Sequence, residues 1–226
     1  MREPGQLLAS GRDSDIFEYG PGLVLRRSRE GHSMATEART MEYAREKGYP
    51  VPFVDDISDD GADLVLERIH GLSMVDAIGK RPWTVRRQGA LLADLHRRLH
   101  EIEAPDWLRP APCGEGDRLL HLDLHPLNVM LSAKGPMVID WPNAVSGDPN
   151  VDVALTWVLM SAGEIPAGRV KGALMSRGRA LLVNGFLRDF DMAAVRSHLP
   201  EVVEWKCTDA HMSAAEQQAM RRLAGA

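Results

Sequence analysis

Hydrophobic and polar positions change their period as the chain proceeds. Short alternating runs at Gln6–Ser10, Ile16–Tyr19 and Leu23–Arg26 are broken by Gly11-Arg-Asp-Ser-Asp15 and Gly20-Pro-Gly22, which predicts three strands with tight turns. Ser33 then precedes a predicted helix from Met34 to Lys47, closed by Gly48. Its inner stripe is Ala38, Met41 and Ala44 or Tyr43. Pro50–Val54 and Leu64–Glu67 predict two further strands on either side of an acidic turn, Asp55–Asp63. Beyond them helical spacing takes over. A short helix is expected over Leu72–Ile78, and Pro82 opens a long one with Val85, Leu92, Leu95, Leu99 and Ile102 on one face. A Pro- and Gly-rich loop, Ala104–Asp117, follows. Val129–Leu131 and Met137–Ile139 then predict a hairpin about the turn Ser132–Gly135. Val151–Met160 is apolar almost all round, as a buried helix must be. A second long helix is expected over Ala167–Phe190 with Val170, Leu174, Leu181 and Leu182 inward. Ser213-Ala-Ala-Glu216 is a capping box for a final helix to Leu223.

Composition narrows the classes. The 226 residues suffice for one bilobal unit or two small domains. The net charge of -5 comes with no block of basic residues, which argues against tracking a nucleic-acid backbone. Cys113 and Cys207 lie far apart and form no CxxC pair, which suits a reducing compartment. The opening Met1-Arg-Glu-Pro-Gly carries no signal pattern. The longest apolar run, Val151–Ala162, contains Asp152 and Thr156 and is too short for a bilayer. A soluble cytoplasmic protein with no membrane contact is expected.

Chemistry concentrates in His121-Leu-Asp-Leu-His-Pro-Leu-Asn128-Val-Met-Leu131 and Met137-Val-Ile-Asp140-Trp141. Asp123 can take a proton from an attacking hydroxyl, while Asn128 and Asp140 can hold magnesium beside a nucleotide phosphate. Phosphoryl transfer asks a protein for little else than metal ligands, a base and a clamp on the phosphates, correctly placed. The expected hairpin sets Asn128 at the start of one strand and Asp140 at the end of the other. The first turn, Gly11 to Asp15, would place backbone N–H groups and the Ser14 hydroxyl over a phosphate, although a plain hairpin turn has the same sequence signature.

The joint pattern His-x-Asp-Leu-x-Pro-x-Asn, apolar hairpin, apolar run ending in Asp resembles the catalytic loop and metal-binding Asp of the protein-kinase-like superfamily. It is closer to the aminoglycoside phosphotransferase / choline kinase branch of small-molecule kinases. The resemblance is densest over residues 121–141, extends weakly over the first two thirds of the chain, and implies an α+β, bilobal fold. The small lobe would span residues 1–70, with a five-stranded antiparallel sheet and one helix. A mainly helical lobe would span 71–226 and end in a short acceptor subdomain. Arg26 takes the place of the usual phosphate-holding Lys, a departure that arginine's always-charged fork can serve. Glu37 is implied as its helix partner; a first-turn acid favoured by the helix N-terminus reads the same. Backbone groups from Glu67 to Ile69 match the hinge that binds adenine. His121 is implied to orient the loop. His125, where protein kinases commonly carry Lys, either contacts the γ-phosphate or braces the loop. Asp152 is implied to tie the catalytic loop, and a helix-start acid would sit in the same place.

After Asp140 the chain reads Trp-Pro-Asn, with only Asn143–Asn150 before the next helix. That leaves no room for a peptide-docking segment, so the acceptor is expected to be a hydroxylated small molecule. From Val151 onward eight acids face nine bases, a balance that does not suit a polycationic antibiotic. The expected cofactors are ATP, or GTP, and magnesium. The oligomeric state has no signature. Two rivals stand beside this reading: an inactive nucleotide-binding regulator of the same fold, and a zinc hydrolase built on His96, His100, His121 and His125. The run His96-Arg-Arg-Leu-His100 lacks the Glu of a zinc-protease helix.

Overall fold

The computed structural model describes residues 3–162, 169–210 and 212–225, with side chains of 169–174 left aside. The chain divides into two compact units: Met1–Leu72 with Val129–Pro142, and Ser73–Asn128 with Asn143–Ala226.

Unit 1 is built on five antiparallel strands, β1 (Leu7–Ser10), β2 (Ser14–Glu18), β3 (Leu23–Ser28), β4 (Val54–Ile57) and β5 (Asp63–Glu67), in the order β1-β2-β3-β5-β4. Helix α1 (Ala35–Glu46) lays Ala38, Met41 and Ala44 inward; Met34 and Ala38 meet Leu64, with Val54, Ile57 and Leu66 against them. The start of α1 is pinned to the β4–β5 turn, because the Met34 N–H donates to the Gly61 carbonyl at 2.8 Å. Gly61 has φ +74°, and a Cβ there would run into the Ser33 hydroxyl, so any other residue is strained. The fourth strand sits later than expected. Pro50 and Pro52 have no N–H to give a ladder, so 50–53 becomes a link and Val54–Ile57 forms the strand. That link still works: the Pro50 carbonyl accepts Val138 N–H and the Phe53 carbonyl accepts Glu67 N–H.

A second sheet has the order β6-β8-β9, from β6 (Gly71–Ser73), β8 (Val129–Ser132) and β9 (Gly135–Val138). The expected hairpin is present, with Val129 opposite Val138 and Ser132 opposite Gly135. Gly71 lies so close to the Leu131 carbonyl that a side chain is excluded. Through these contacts the 129–142 segment, expected in the larger lobe, packs with unit 1.

Unit 2 is mainly helical: α2 (Met74–Lys80), α3 (Val85–His100), α4 (Pro149–Ala162), α5 (Arg169–Leu187), α6 (Met192–Lys206) and α7 (Ala214–Ala224). Helix α2 starts two residues later than expected, because Ser73 caps it by accepting Asp76 N–H at 3.0 Å. Helix α4 is the buried axis of this unit, as its all-round apolar sequence requires. The expected starting residue of α5, Ala167, and the side chains of Val170 and Leu174 lie outside the described residues. Its buried positions are Val183 and Phe186, while Leu181 and Leu182 are only half-buried. Helix α6 has no counterpart among the expected elements. Asp191 caps it, Val195, Leu199, Val202 and Val203 are buried, and Pro200 inside it breaks the usual signature of a helix. A pair of three-residue strands, β7 (Arg118–Leu120) with β10 (Val145–Gly147), has no counterpart among the expected elements. The Ser213–Glu216 capping box of α7 is present in full. No helix among the described residues is long and apolar enough to cross a membrane.

Candidate active site

In unit 1 the strand alternation decides which arginine points inward. The Arg26 side chain is 13% exposed, whereas Arg27 turns out to Asp63. The Arg26 guanidinium then serves three elements: Nε donates to Ser14 Oγ at 2.9 Å, Nη1 to Glu37 Oε1 at 2.5 Å and Nη2 to Asp140 Oδ1 at 2.9 Å. A lysine ammonium has no such planar fork. Glu37 Oε1 also accepts the Trp141 N–H at 3.1 Å. Burial raises the Glu37 carboxyl above its ordinary range, against the pull of the Arg26 charge. Trp141 is buried, donates its indole N–H to the Val138 carbonyl and meets the Tyr49 ring edge-on. Asp140 is thus held between two anchored neighbours in a left-handed conformation, φ 69°, with its carboxylate 40% exposed. Such strain in a non-glycine residue persists only where surroundings enforce it.

Elsewhere in unit 1, the Gly11 N–H closes its own turn onto the Ser14 carbonyl at 2.8 Å. At the expected adenine-binding stretch the Glu67 and Arg68 N–H groups are spent on the Phe53 and Gly22 carbonyls. Among the described residues, the Ile69 N–H has no such partner.

In unit 2 the loop from His121 to Asn128 is folded around one buried carboxylate. Asp152, at the start of α4, accepts Leu122 N–H (2.9 Å) and His121 N–H (3.2 Å), and pairs with His100 Nε2 at 3.0 Å. Burial opposes its charge, but His100 and the neighbouring histidines hold it well below the ordinary carboxylate range. Leu122 is left-handed at φ 54° with its side chain buried, a strained position that Asp152 enforces. The next residue, Asp123, is 23% exposed. Asn128 Nδ2 donates to the Asp123 carbonyl (2.9 Å) and carboxylate (3.1 Å), leaving Asn128 Oδ1 for a cation. His125 Nδ1 accepts Leu127 N–H at 3.3 Å, and its Nε2 lies 3.4 Å from Asp123 Oδ1. Burial works against the Asp123 charge, yet the His125 hydrogen bond and the charges of His125, His121 and Lys206 keep its carboxyl below the ordinary range. Ionised near neutrality, it can accept a proton.

Below the loop, His96 is fully buried, and burial pushes it down to about 4 despite the Asp152 charge. Its Nδ1–H donates to the Leu92 carbonyl, and its Nε2 lies 3.1 Å from the Thr156 hydroxyl, which also reaches the Leu124 carbonyl at 3.0 Å. His96 and His125 thus engage both ring nitrogens, and His100 its Nε2, with neighbouring groups. Among the described residues no group of three or more His, Cys, Asp or Glu is arranged to hold a metal ion, and the zinc reading has no site.

A phosphotransferase family model matches residues 81–198, which include the whole Asp123 loop and Asp152. The chain belongs to the phosphotransferase enzyme family. It is 39% identical over 62 residues to a thiamine kinase of Escherichia coli (strain SMS-3-5 / SECEC), covering 27% of this chain and 20% of that protein. Among solved structures it is similar to a choline/ethanolamine kinase family protein from Mesorhizobium loti, with a TM-score of 0.62, 16% identity, and coverage of 97% and 86% of the two chains. It is also similar to aminoglycoside phosphotransferase APH(4)-Ia in ternary complex with AMP-PNP and hygromycin B. There the TM-score is 0.58 with 16% identity, over 97% of this chain and 92% of that one. The two structural likenesses establish the fold. The chain spans no more than half the length of the curated relatives it matches.

Within their own units, then, Ser14, Arg26, Glu37 and Asp140 are brought together, as are His121, Asp123, His125, Asn128 and Asp152. Gly11 shapes its turn and Glu67 its strand. Three contributors lay outside the sequence reading: the Trp141 N–H, His100 as the partner of Asp152, and Thr156 under Leu124. The i, i+4 spacing of His96 and His100 was a visible signal, but it pointed to structure rather than to zinc.

Proposed function

We propose that the protein is an ATP- or GTP-dependent phosphotransferase that needs magnesium and moves the γ-phosphoryl group to a hydroxyl of a small molecule. The supporting observation is Asp123: ionised, partly exposed, and fixed by Asn128 and His125 on a loop strained at Leu122. In this reading the acceptor hydroxyl gives its proton to Asp123 as its oxygen bonds to the γ-phosphorus. The bond to the β,γ-bridging oxygen breaks, and the nucleoside diphosphate departs with that electron pair. Arg26, steered by Glu37 and Ser14, holds the phosphates, and the Ile69 N–H meets the base. Asn128 Oδ1 and the Asp140 carboxylate are hard oxygen donors that suit magnesium. When bound, magnesium neutralises charge on the triphosphate. His121 and His125 orient the loop.

Residues 1–70 would carry the nucleotide and the C-terminal helices the acceptor. The similar structure that holds AMP-PNP and hygromycin B together agrees with this class of reaction. The near-even charge of the region after Val151 favours an acceptor that is not a polycation. The test is a phosphorylation screen with γ-labelled ATP and GTP, with and without magnesium, against hydroxylated metabolites and several antibiotic classes. Magnesium-dependent label on at least one acceptor is expected. Nucleotide binding without transfer to any acceptor, and without slow hydrolysis, would favour the inactive regulator instead.

A further inference from the structure

We propose that unit 2 carries a second small-molecule site, for planar aromatic anions, between α4, α5 and α6. A solvent-open groove of about 360 Å³ lies there. Its aromatic wall is Trp157, its aliphatic walls are Val183, Leu187 and Met192, and its charged rim is Arg188 and Arg196. Among the described residues no carboxylate lines it. The Arg196 guanidinium lies 5.7 Å from the Trp157 ring centroid and has no ion-pair partner among the described residues. Arg188 leans on its neighbour Asp189 at 3.6 Å, and Asp189 is shared with Arg97 at the same distance. These are exposed, long contacts that an incoming anion can displace at little cost.

The chemistry of the lining selects the ligand. Two guanidiniums exclude a cation and give a carboxylate or sulfonate charged hydrogen-bond donors. A small inorganic anion would leave the apolar walls uncovered. A flat ring instead can stack against Trp157 with its acidic group on Arg196. Trp157 does not share the face of α4 that supports the catalytic loop. Thr156, one residue before Trp157, turns to the Leu124 carbonyl beneath the catalytic loop, and successive side chains on a helix diverge by about 100°.

Titration calorimetry with 2-naphthoate, and with neutral 2-naphthamide of the same shape, tests this directly. The carboxylate should bind once per chain, about tenfold or more tighter than the amide. Arg196→Gln should weaken it by about tenfold, and Arg188→Gln by less. Both arginines are exposed, so the variants should fold, and nucleotide binding in them should be unchanged. Absence of saturable 2-naphthoate binding, equal affinity for the amide, or unaltered affinity in Arg196→Gln would each overturn the proposal without touching the phosphotransfer reading.

Discussion

Arg26 Nη2 reaches Asp140 Oδ1 at 2.9 Å across 114 positions of sequence, while the same guanidinium holds Glu37 and Ser14. One side chain therefore joins the first hairpin, α1 and the segment that carries the proposed metal ligand. Arg26→Lys keeps the charge but cannot keep all three bonds, so nucleotide affinity should fall by about tenfold with folding intact. Arg26→Met should cost about 3 kcal/mol of stability, because it leaves the buried Glu37 without its cation. The double change with Glu37→Met should recover most of that loss. Denaturant melts of the four proteins check the cycle.

Asp152 is expected to act through the loop it ties. Asp152→Asn replaces an acceptor of three donors with a group that must turn a donor of its own toward one of them. A stability loss of about 3 kcal/mol is expected, with turnover down about a hundredfold as Leu122 relaxes and Asp123 shifts. Nucleotide binding should change little. Equal kcat in this variant would show that the strained Leu122 conformation is irrelevant to the reaction.

Stability should depend on acid through His96. Folded, it stays neutral down to about pH 4; unfolded, it takes a proton below its ordinary 6.5. The unfolded chain binds more protons in that window, so stability falls as pH drops from about 6.5 to about 4, by up to about 3 kcal/mol. Asp152, held below its ordinary 3.8, extends the loss to lower pH, since its contribution is present above that value and vanishes as the folded carboxyl protonates. Urea midpoints between pH 7.5 and pH 4 would show the slope, and His96→Gln should flatten its upper part.

Close packing of α3 on α5 depends on two glycines. A Cβ on Gly89 would overlap the Leu182 carbonyl oxygen, and one on Gly185 would lie 2.7 Å from the Arg86 carbonyl oxygen. Gly89→Ala should destabilise by about 1–3 kcal/mol despite the better helix propensity of alanine. A thermal melt that rises in this variant would contradict the packing.

Much of this was legible in the sequence wherever one residue's chemistry constrained its neighbours. The loop from His121 to Asn128, the hairpin after it and the inward turn of Arg26 follow from alternation and spacing. The five strands of unit 1 follow likewise, except that two prolines displaced β4. Helix α6 was hidden because Pro200 sits among its apolar positions, and β7 with β10 are three residues each, too short for any periodicity. Asp152 could be read as a helix-start acid or a loop tie; only its partners, separated by 30 to 52 positions, distinguish the two. Backbone groups such as the Trp141 N–H leave no mark in sequence at all.

The most direct measurement compares the wild-type protein with Asp123→Asn, using labelled γ-phosphoryl transfer to any acceptor found in the screen and nucleotide binding measured in parallel. Transfer should be lost in the variant by at least about a hundredfold while the nucleotide binds as before. Undiminished transfer by Asp123→Asn would contradict the role of this carboxylate as the proton acceptor.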